Sequence, residues 1–314
     1  MAFRSTFIER SSPWKALLIY LLSILIVGLL LNFLGALLAG VLYGLPLADI
    51  LQGKVLDPTV ENAPFLKFYQ IVNHLGMFLF PSLLFMHFFM NREDFMAMGL
   101  GRKVSVLYLL VGAGLLFLAL PFTNMLLVWN EALVLPPFLR GLEEKLQVME
   151  ESAARLTELF FLDASIKGLM VNLLMIALIP AVGEELVFRG VLFRLFRRIV
   201  KNSHLTVWIT SLLFSAMHLQ FYGFLPRLFL GLLFGYLLLY TRNFWVPVFA
   251  HFVNNGTAVV VAWLSSGNGG SLDVDSFGRS DSWGIVLLSG LSVGGTLYLL
   301  YHFSKQKKEA KHQG

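Results

Sequence analysis

The chain has 314 residues, of which 57% are hydrophobic and 14% charged, with a formal net charge of +5 and a mean hydropathy of +0.74. Soluble globular domains carry roughly 45–50% apolar and about 25% charged residues, so that class is excluded and long membrane-crossing runs are expected. Cysteine is absent, which excludes disulfides, a thiolate nucleophile and cysteine-ligated metals and leaves only His, Asp, Glu or Asn to bind a metal.

Residues 1–15 carry Arg4, Arg10 and Lys15. The apolar run from Ala16 to Tyr43 is too long for a signal-peptide core and reads as a retained first membrane helix. Further runs at 65–90, 104–128, 167–187, 205–221, 224–241, 245–264 and 283–303 give an all-α polytopic membrane helix bundle of about eight transmembrane helices, each needing about 20 apolar residues. The fifth and sixth are short, with only Tyr222 and Gly223 between them, as in a hairpin that stops below the far surface. Between the third and fourth, Phe138, Leu139, Leu142, Leu146, Met149, Leu156, Leu159 and Phe160 recur at near-helical spacing among charges. They predict an amphipathic outer segment. Residues 265–282 are rich in Gly, Ser and Asp and read as an outer loop. Trp14, Trp129, Trp245 and Trp283 fall at span ends, where an aromatic belt sits. The chain thus divides into N-terminal membrane helices with the outer segment (1–166), a polar-bearing core (167–264), and a last loop, helix and basic tail (265–314), without an internal repeat.

With the N-terminus cytoplasmic, most Lys and Arg fall on the cytoplasmic side, among them Arg102, Arg194, Arg197, Arg198, Arg242 and the Lys305–Lys311 cluster. The bias predicts both termini inside, and the short tail and acidic outer side fit an integral protein of the bacterial inner membrane. The pI of 9.4 is then a topology signal. It implies the lipid bilayer as a partner and no nucleic acid.

The chemistry centres on Gly183-Glu184-Glu185-Leu186-Val187-Phe188-Arg189-Gly190. Each charge near a bilayer centre costs roughly 2.5–3.5 kcal/mol, so such residues face the bundle interior and pair. Glu185 and Arg189 are i and i+4 and predict a structural ion pair. Glu184 points ~100° away and is left free to act. The fifth span carries Phe214-Ser215-Ala216-Met217-His218, and the seventh His251-Phe252-Val253-Asn254-Asn255, with His251 and Asn255 on one helix face. Asn73, His74 and Asn172 read as interhelical hydrogen-bonding residues, Asn172 too far from Glu184 to join it. Asn254 reads as support for Asn255, and His87 as interfacial.

The three motifs, Glu-Glu-x-x-x-Arg, Phe-x-x-x-His and His-x-x-x-Asn, in order on successive spans resemble the CPBP family: type II CAAX prenyl endopeptidases and bacteriocin-processing or immunity proteins. The resemblance is most specific over 167–264. It implies an intramembrane endopeptidase in which Glu184 and His218 activate a water while His251 and Asn255 stabilise the oxyanion. The implied substrate is a membrane-associated peptide or protein, prenylated or bacteriocin-like. A desolvated carboxylate suits a general base, and His plus Asn on one face supply two oxyanion donors. A second arrangement stays open, in which Glu184, His218 and His251 hold Zn²⁺ with a water in the fourth position; no His-Glu-x-x-His sequence decides it. A non-catalytic immunity or scaffold protein keeping these residues for binding is the alternative function. A small transporter is a third, without the repeat symmetry expected of one.

Depth poses a difficulty. Counted from Lys167, Glu184 lies about 25 Å along its helix, towards the cytoplasmic side, whereas His218 lies about 20 Å in from His204. Tilt, a bend near Pro180 or an early start to the fifth helix must bring them together, in a cavity between the cytoplasmic half and the middle of the membrane.

Overall fold

The computed structural model describes residues 11–90, 92–267 and 277–312; Arg4, Arg10 and much of the 265–282 loop lie outside the described residues. The main helices are α1 (Pro13–Tyr43), α2 (Ala63–Phe89), α3 (Val106–Glu131), α4 (Arg140–Phe161), α5 (Ile166–Val200), α6 (Ser203–Met217), α7 (Phe224–Thr241), α8 (Trp245–Gly267) and α9 (Trp283–His312). Among the described residues there is no strand. The protein is an all-α polytopic bundle, with 7 helices among the described residues long and apolar enough to cross a membrane. The other apolar segment, α6, has 15 residues, about 22 Å at ~1.5 Å per residue, less than a ~30 Å hydrocarbon core. It pairs with α7, but the sixth span, expected to be short as well, runs over Phe221–Thr241 and is long enough to cross, so only α6 is short.

Burial is inverted relative to a water-soluble protein. Leu18, Leu29, Val41, Leu107, Leu110 and Leu291 are exposed, while Glu184, Glu185, Arg189, Thr206, Thr210 and His251 are buried. Lipid around the bundle solvates the first set; the second must find partners inside. The amphipathic outer segment is a short turn at Pro137–Leu139 followed by α4. It docks by burying Leu159 and Phe160 beside Phe65 and Leu66 of α2, and Lys67 Nζ donates to Phe160 O at 2.9 Å.

The fourth predicted span ended at 187; α5 instead runs unbroken for 35 residues to Val200. It does not break at Pro180, which follows a π-helical segment at Leu173–Leu178; a second occupies Leu186–Leu192. α5 ends at Lys201, whose backbone adopts φ 54°, and α6 begins two residues later. In this antiparallel turn Glu184 and His218 are equally far from Lys201 along the chain, about 25 Å each. The depth difficulty disappears, and Glu184 lies midway along α5 rather than towards one side.

Two close helix approaches set the interior. At Gly183 a β-carbon would lie 3.0 Å from Phe78 Cβ, so α5 and α2 pack with almost no spacer beside Glu184. At Gly231 it would lie 3.1 Å from Ser211 Cβ, which lets α7 lie close against α6. Small residues at such contacts are how membrane helices gain van der Waals packing when lipid supplies no hydrophobic drive between them.

Candidate active site

Glu184 and Glu185 are consecutive on α5 but belong to different networks, because successive residues diverge by ~100°. Both are buried, as are Arg189 and His251, with Glu185 at 0% and Arg189 at 1% exposure.

Glu185 is the structural node. Its Oε1 accepts from Arg189 Nη1 at 2.9 Å and from His251 Nδ1 at 3.0 Å. Arg189 Nη2 donates to Gly231 O at 2.7 Å. The guanidinium also lies over the rings of Phe214 and Phe234, 4.8 and 5.6 Å from their centroids, an arrangement attractive to a desolvated cation. His251 stacks on Phe234 with ring centroids 4.8 Å apart. The expected i,i+4 pair is therefore part of a larger brace joining α5, α7 and α8. Gly231 thus packs against Ser211 and Phe214 of α6 while its carbonyl accepts from Arg189 of α5.

Glu184 is not left without a partner, as the sequence reading had it. His74 Nε2 of α2 lies 3.4 Å from its Oε1, and His74 Nδ1 lies 3.3 Å from Gln70 Nε2. An amide NH₂ can only donate, so Nδ1 accepts and the ring's hydrogen sits on Nε2, towards Glu184. His74 does make an interhelical hydrogen bond, but to the central carboxylate of the site. The signal for this was the Gln70–His74 pair, two polar residues one turn apart in an apolar span. The contact at Gly183 completes it, since Phe78 is one turn beyond His74 and the two rings stack at 5.1 Å.

The other carboxylate oxygen, Glu184 Oε2, is buried without a hydrogen-bond partner. It faces His251 Nε2 at 3.9 Å, beyond direct hydrogen-bonding distance. Glu184 and His251 are thus brought together.

His218 closes the end of α6, half-buried, with Nδ1 donating to Phe214 O at 2.8 Å. This fixes Nδ1 as the protonated nitrogen of the neutral ring and leaves the lone pair on Nε2. It makes no direct hydrogen bond to Glu184 but lies within electrostatic reach of Glu184 and His251. Phe214 stands between the two imidazoles, 5.1 Å from His218 and 5.8 Å from His251 between ring centroids.

Asn255 Nδ2 donates to Ile176 O at 3.1 Å. Ile176 belongs to the Leu173–Leu178 π-helical segment, where the widened ladder gives a side chain access to a main-chain carbonyl. Asn254 Nδ2 donates to Asn255 Oδ1 at 3.1 Å, the supporting contact expected of it. One Asn255 N–H remains beyond the bond to Ile176. Asn172 bonds Phe160 O at 2.8 Å, away from Glu184.

Among the described residues, no three of His, Asp and Glu are grouped closely enough to hold a metal ion. The zinc arrangement of Glu184, His218 and His251 has no assembled ligand set among these residues.

Residues 166–257 match the family model described as type II CAAX prenyl endopeptidase Rce1-like. This stretch holds both glutamates, Arg189, both histidine motifs and Asn255, and leaves out α2 with His74. A similar curated protein is "Uncharacterized protein YpbD" of Bacillus subtilis (strain 168), 30% identical over 86 residues, covering 26% of this chain and 41% of that protein. The match therefore spans less than half of that relative's length. No solved structure matches the chain.

Proposed function

We propose that this integral membrane protein, whose residues 166–257 match the type II CAAX prenyl endopeptidase Rce1-like model, is an intramembrane endopeptidase whose base is Glu184. The observation that carries the reading is the buried, unpartnered Glu184 Oε2 facing His251 Nε2 at 3.9 Å.

Glu185 accepts from His251 Nδ1, so the neutral ring presents Nε2 as an acceptor. Two acceptors then face each other at a separation that suits one water donating to both. The same two groups polarise that water. Glu184 takes a proton as the water oxygen attacks the scissile carbonyl carbon. The carbonyl oxygen becomes an oxyanion, the C–N bond breaks, and the proton passes to the leaving amine. The free Asn255 N–H suits an oxyanion donor. His218, whose Nε2 keeps its lone pair, is the alternative to His251 as the water's second acceptor, the role implied by the family. In this scheme His251, held by Glu185 with its hydrogen on Nδ1, accepts from the water, and the oxyanion donor is Asn255 rather than His251.

His74 orients the base. Its Nε2–H holds Oε1, which leaves Oε2 turned to the reacting water. The substrate in this reading is a membrane-associated peptide, prenylated or bacteriocin-like, cleaved by a protein of the bacterial inner membrane with both termini in the cytoplasm.

The test is cleavage of a prenylated fluorogenic peptide by the purified chain in liposomes, comparing wild type with Glu184→Gln, His218→Ala and His251→Ala. Loss of cleavage in Glu184→Gln and His251→Ala is expected. Unchanged cleavage in all three variants ends the catalytic reading. Retained biological function in a cleavage-dead variant reassigns the protein to the immunity or scaffold role. Metal analysis of the same preparation, with cleavage measured before and after chelation, decides between Glu184 as base and Glu184 as zinc ligand.

A further inference from the structure

A cavity of about 630 Å³ opens at the end of the bundle where α5 and α7 finish and α6 begins. Six arginines line it: Arg102, Arg189, Arg194, Arg197, Arg198 and Arg242. Among the described residues that line it, none is acidic. Arginines gathered at one end of a membrane bundle are expected from topology alone. Their convergence on one cavity is not, because like charges in a partly desolvated space repel one another. Arg242 registers this: burial, with Arg102 and Arg197 close by, pulls its guanidinium below the ordinary arginine value.

Two further observations point to a missing anion. Arg198 Nη1 and Arg189 Nε are both buried without a hydrogen-bond partner, although Arg198 Nη2 donates to Ser11 O and Arg189 uses both its terminal nitrogens. A buried charged donor left unmatched is costly unless something accepts from it.

The ligand's chemistry follows from the walls. Guanidinium forks match phosphate oxygens bidentately. The cavity exceeds what an inorganic phosphate fills, and Phe193, Leu238 and Leu239 add an apolar wall. The helix ends at Val200, Ser203 and Thr241 meet at this level, and Trp245 anchors there through Nε1–H to Leu100 O, as belongs at a membrane–water interface. We infer that this arginine-lined cavity binds the phosphate headgroup of an acidic phospholipid, with the start of an acyl chain against Phe193, Leu238 and Leu239. The site is separate from the proposed water site and does not depend on the protein being a protease. It does share Arg189 with the brace that holds Glu185.

The experiment uses the full chain, delipidated in detergent and titrated with phosphatidylglycerol or phosphatidylcholine, with bound lipid counted by native mass spectrometry. Phosphatidylglycerol should be retained over phosphatidylcholine. The preference should fall about fivefold for each arginine removed, since one basic residue near an anionic surface contributes ~1 kcal/mol, in Arg102→Gln, Arg197→Gln and the triple variant with Arg242→Gln. The single variants alter exposed side chains and keep the test decisive if the triple variant does not fold. Arg140→Gln, on the exposed amphipathic helix, should leave the preference unchanged. Equal retention in wild type and the cavity variants, or an equal loss in Arg140→Gln, overturns the inference. Displacement of the lipid by inorganic phosphate at equal concentration would make the ligand a soluble phosphate and overturn the lipid source. Displacement by a peptide through its free carboxylate would make the cavity a substrate subsite and overturn it too.

Discussion

The two adjacent glutamates should respond in opposite ways to the same chemical change. Glu185 sits at 0% exposure with Arg189 Nη1 at 2.9 Å and His251 Nδ1 at 3.0 Å. Removing one partner of a buried pair costs about 3–5 kcal/mol, because the other charge is left uncompensated. Arg189→Met should fall within that range, since Glu185 then keeps a buried charge without its guanidinium partner. Glu185→Gln should cost less, as its amide oxygen still accepts from Arg189 and His251. The double variant Glu185→Gln/Arg189→Met should be more stable than the sum of the singles predicts, by about 2 kcal/mol or more, because no isolated charge remains. Glu184→Gln should change stability by no more than about 1 kcal/mol, its contact to His74 being a single hydrogen bond, while cleavage falls by about 10²–10⁴ as the base is lost. Unfolding in mixed micelles of increasing denaturing detergent, followed by circular dichroism, gives the stabilities; the liposome peptide assay gives the rates. Additive single variants, or equal destabilisation by Glu184→Gln and Glu185→Gln, would refute the division between brace and base.

Further outcomes follow from individual contacts. His74→Ala should lower kcat by about 10- to 100-fold, the scale of a small misplacement of a reacting group; His74→Gln, which keeps an N–H donor towards Glu184, should recover part of it, and an unchanged kcat in the alanine variant would remove His74 from the site. Gly231→Ala should destabilise by about 1–3 kcal/mol, because the added carbon meets Ser211 Cβ at 3.1 Å and Phe214 Cδ1 at 3.2 Å; detergent unfolding reads the loss directly. Asn255→Ala should cost about 1–3 kcal/mol by leaving Ile176 O unsatisfied, and lower kcat more than it alters KM if Asn255 also meets the oxyanion. Hydrogen bonds from the Ser165 side chain and main chain hold the Asp163 carboxyl below the usual carboxylate range at the start of α5. A depressed folded-state value means that this stabilisation is present above the unfolded pKa and lost as pH falls through the folded one. Protection of the 165–168 amides, relative to their intrinsic exchange rates at each pH, should therefore fall on acidification in wild type and lose that dependence in Asp163→Asn.

What was legible in the sequence is what hydrophobicity and helical spacing encode. An apolar run must be a helix in lipid, because every backbone donor and acceptor needs an internal partner; the eight apolar segments were all visible, including the short one. The Glu185–Arg189 pair was legible for the same reason, as i and i+4 meet on any helix. What spacing does not encode is which faces of different helices meet. The continuation of α5 through Val200 was hidden because Arg189, Arg194, Arg197 and Arg198 read as the end of a span, whereas Arg189 is neutralised within the bundle. The turn at Lys201 then matches the depths of Glu184 and His218, a fact that counting from Lys167 obscured. His74 was seen as a residue and not as a site residue, because its role depends on Gly183. Only a residue without a β-carbon lets α2 come so close to α5 that an imidazole one turn from Phe78 meets the Glu184 carboxylate. The site is thus specified as much by two glycines, at 183 and 231, as by the charged residues that announce it.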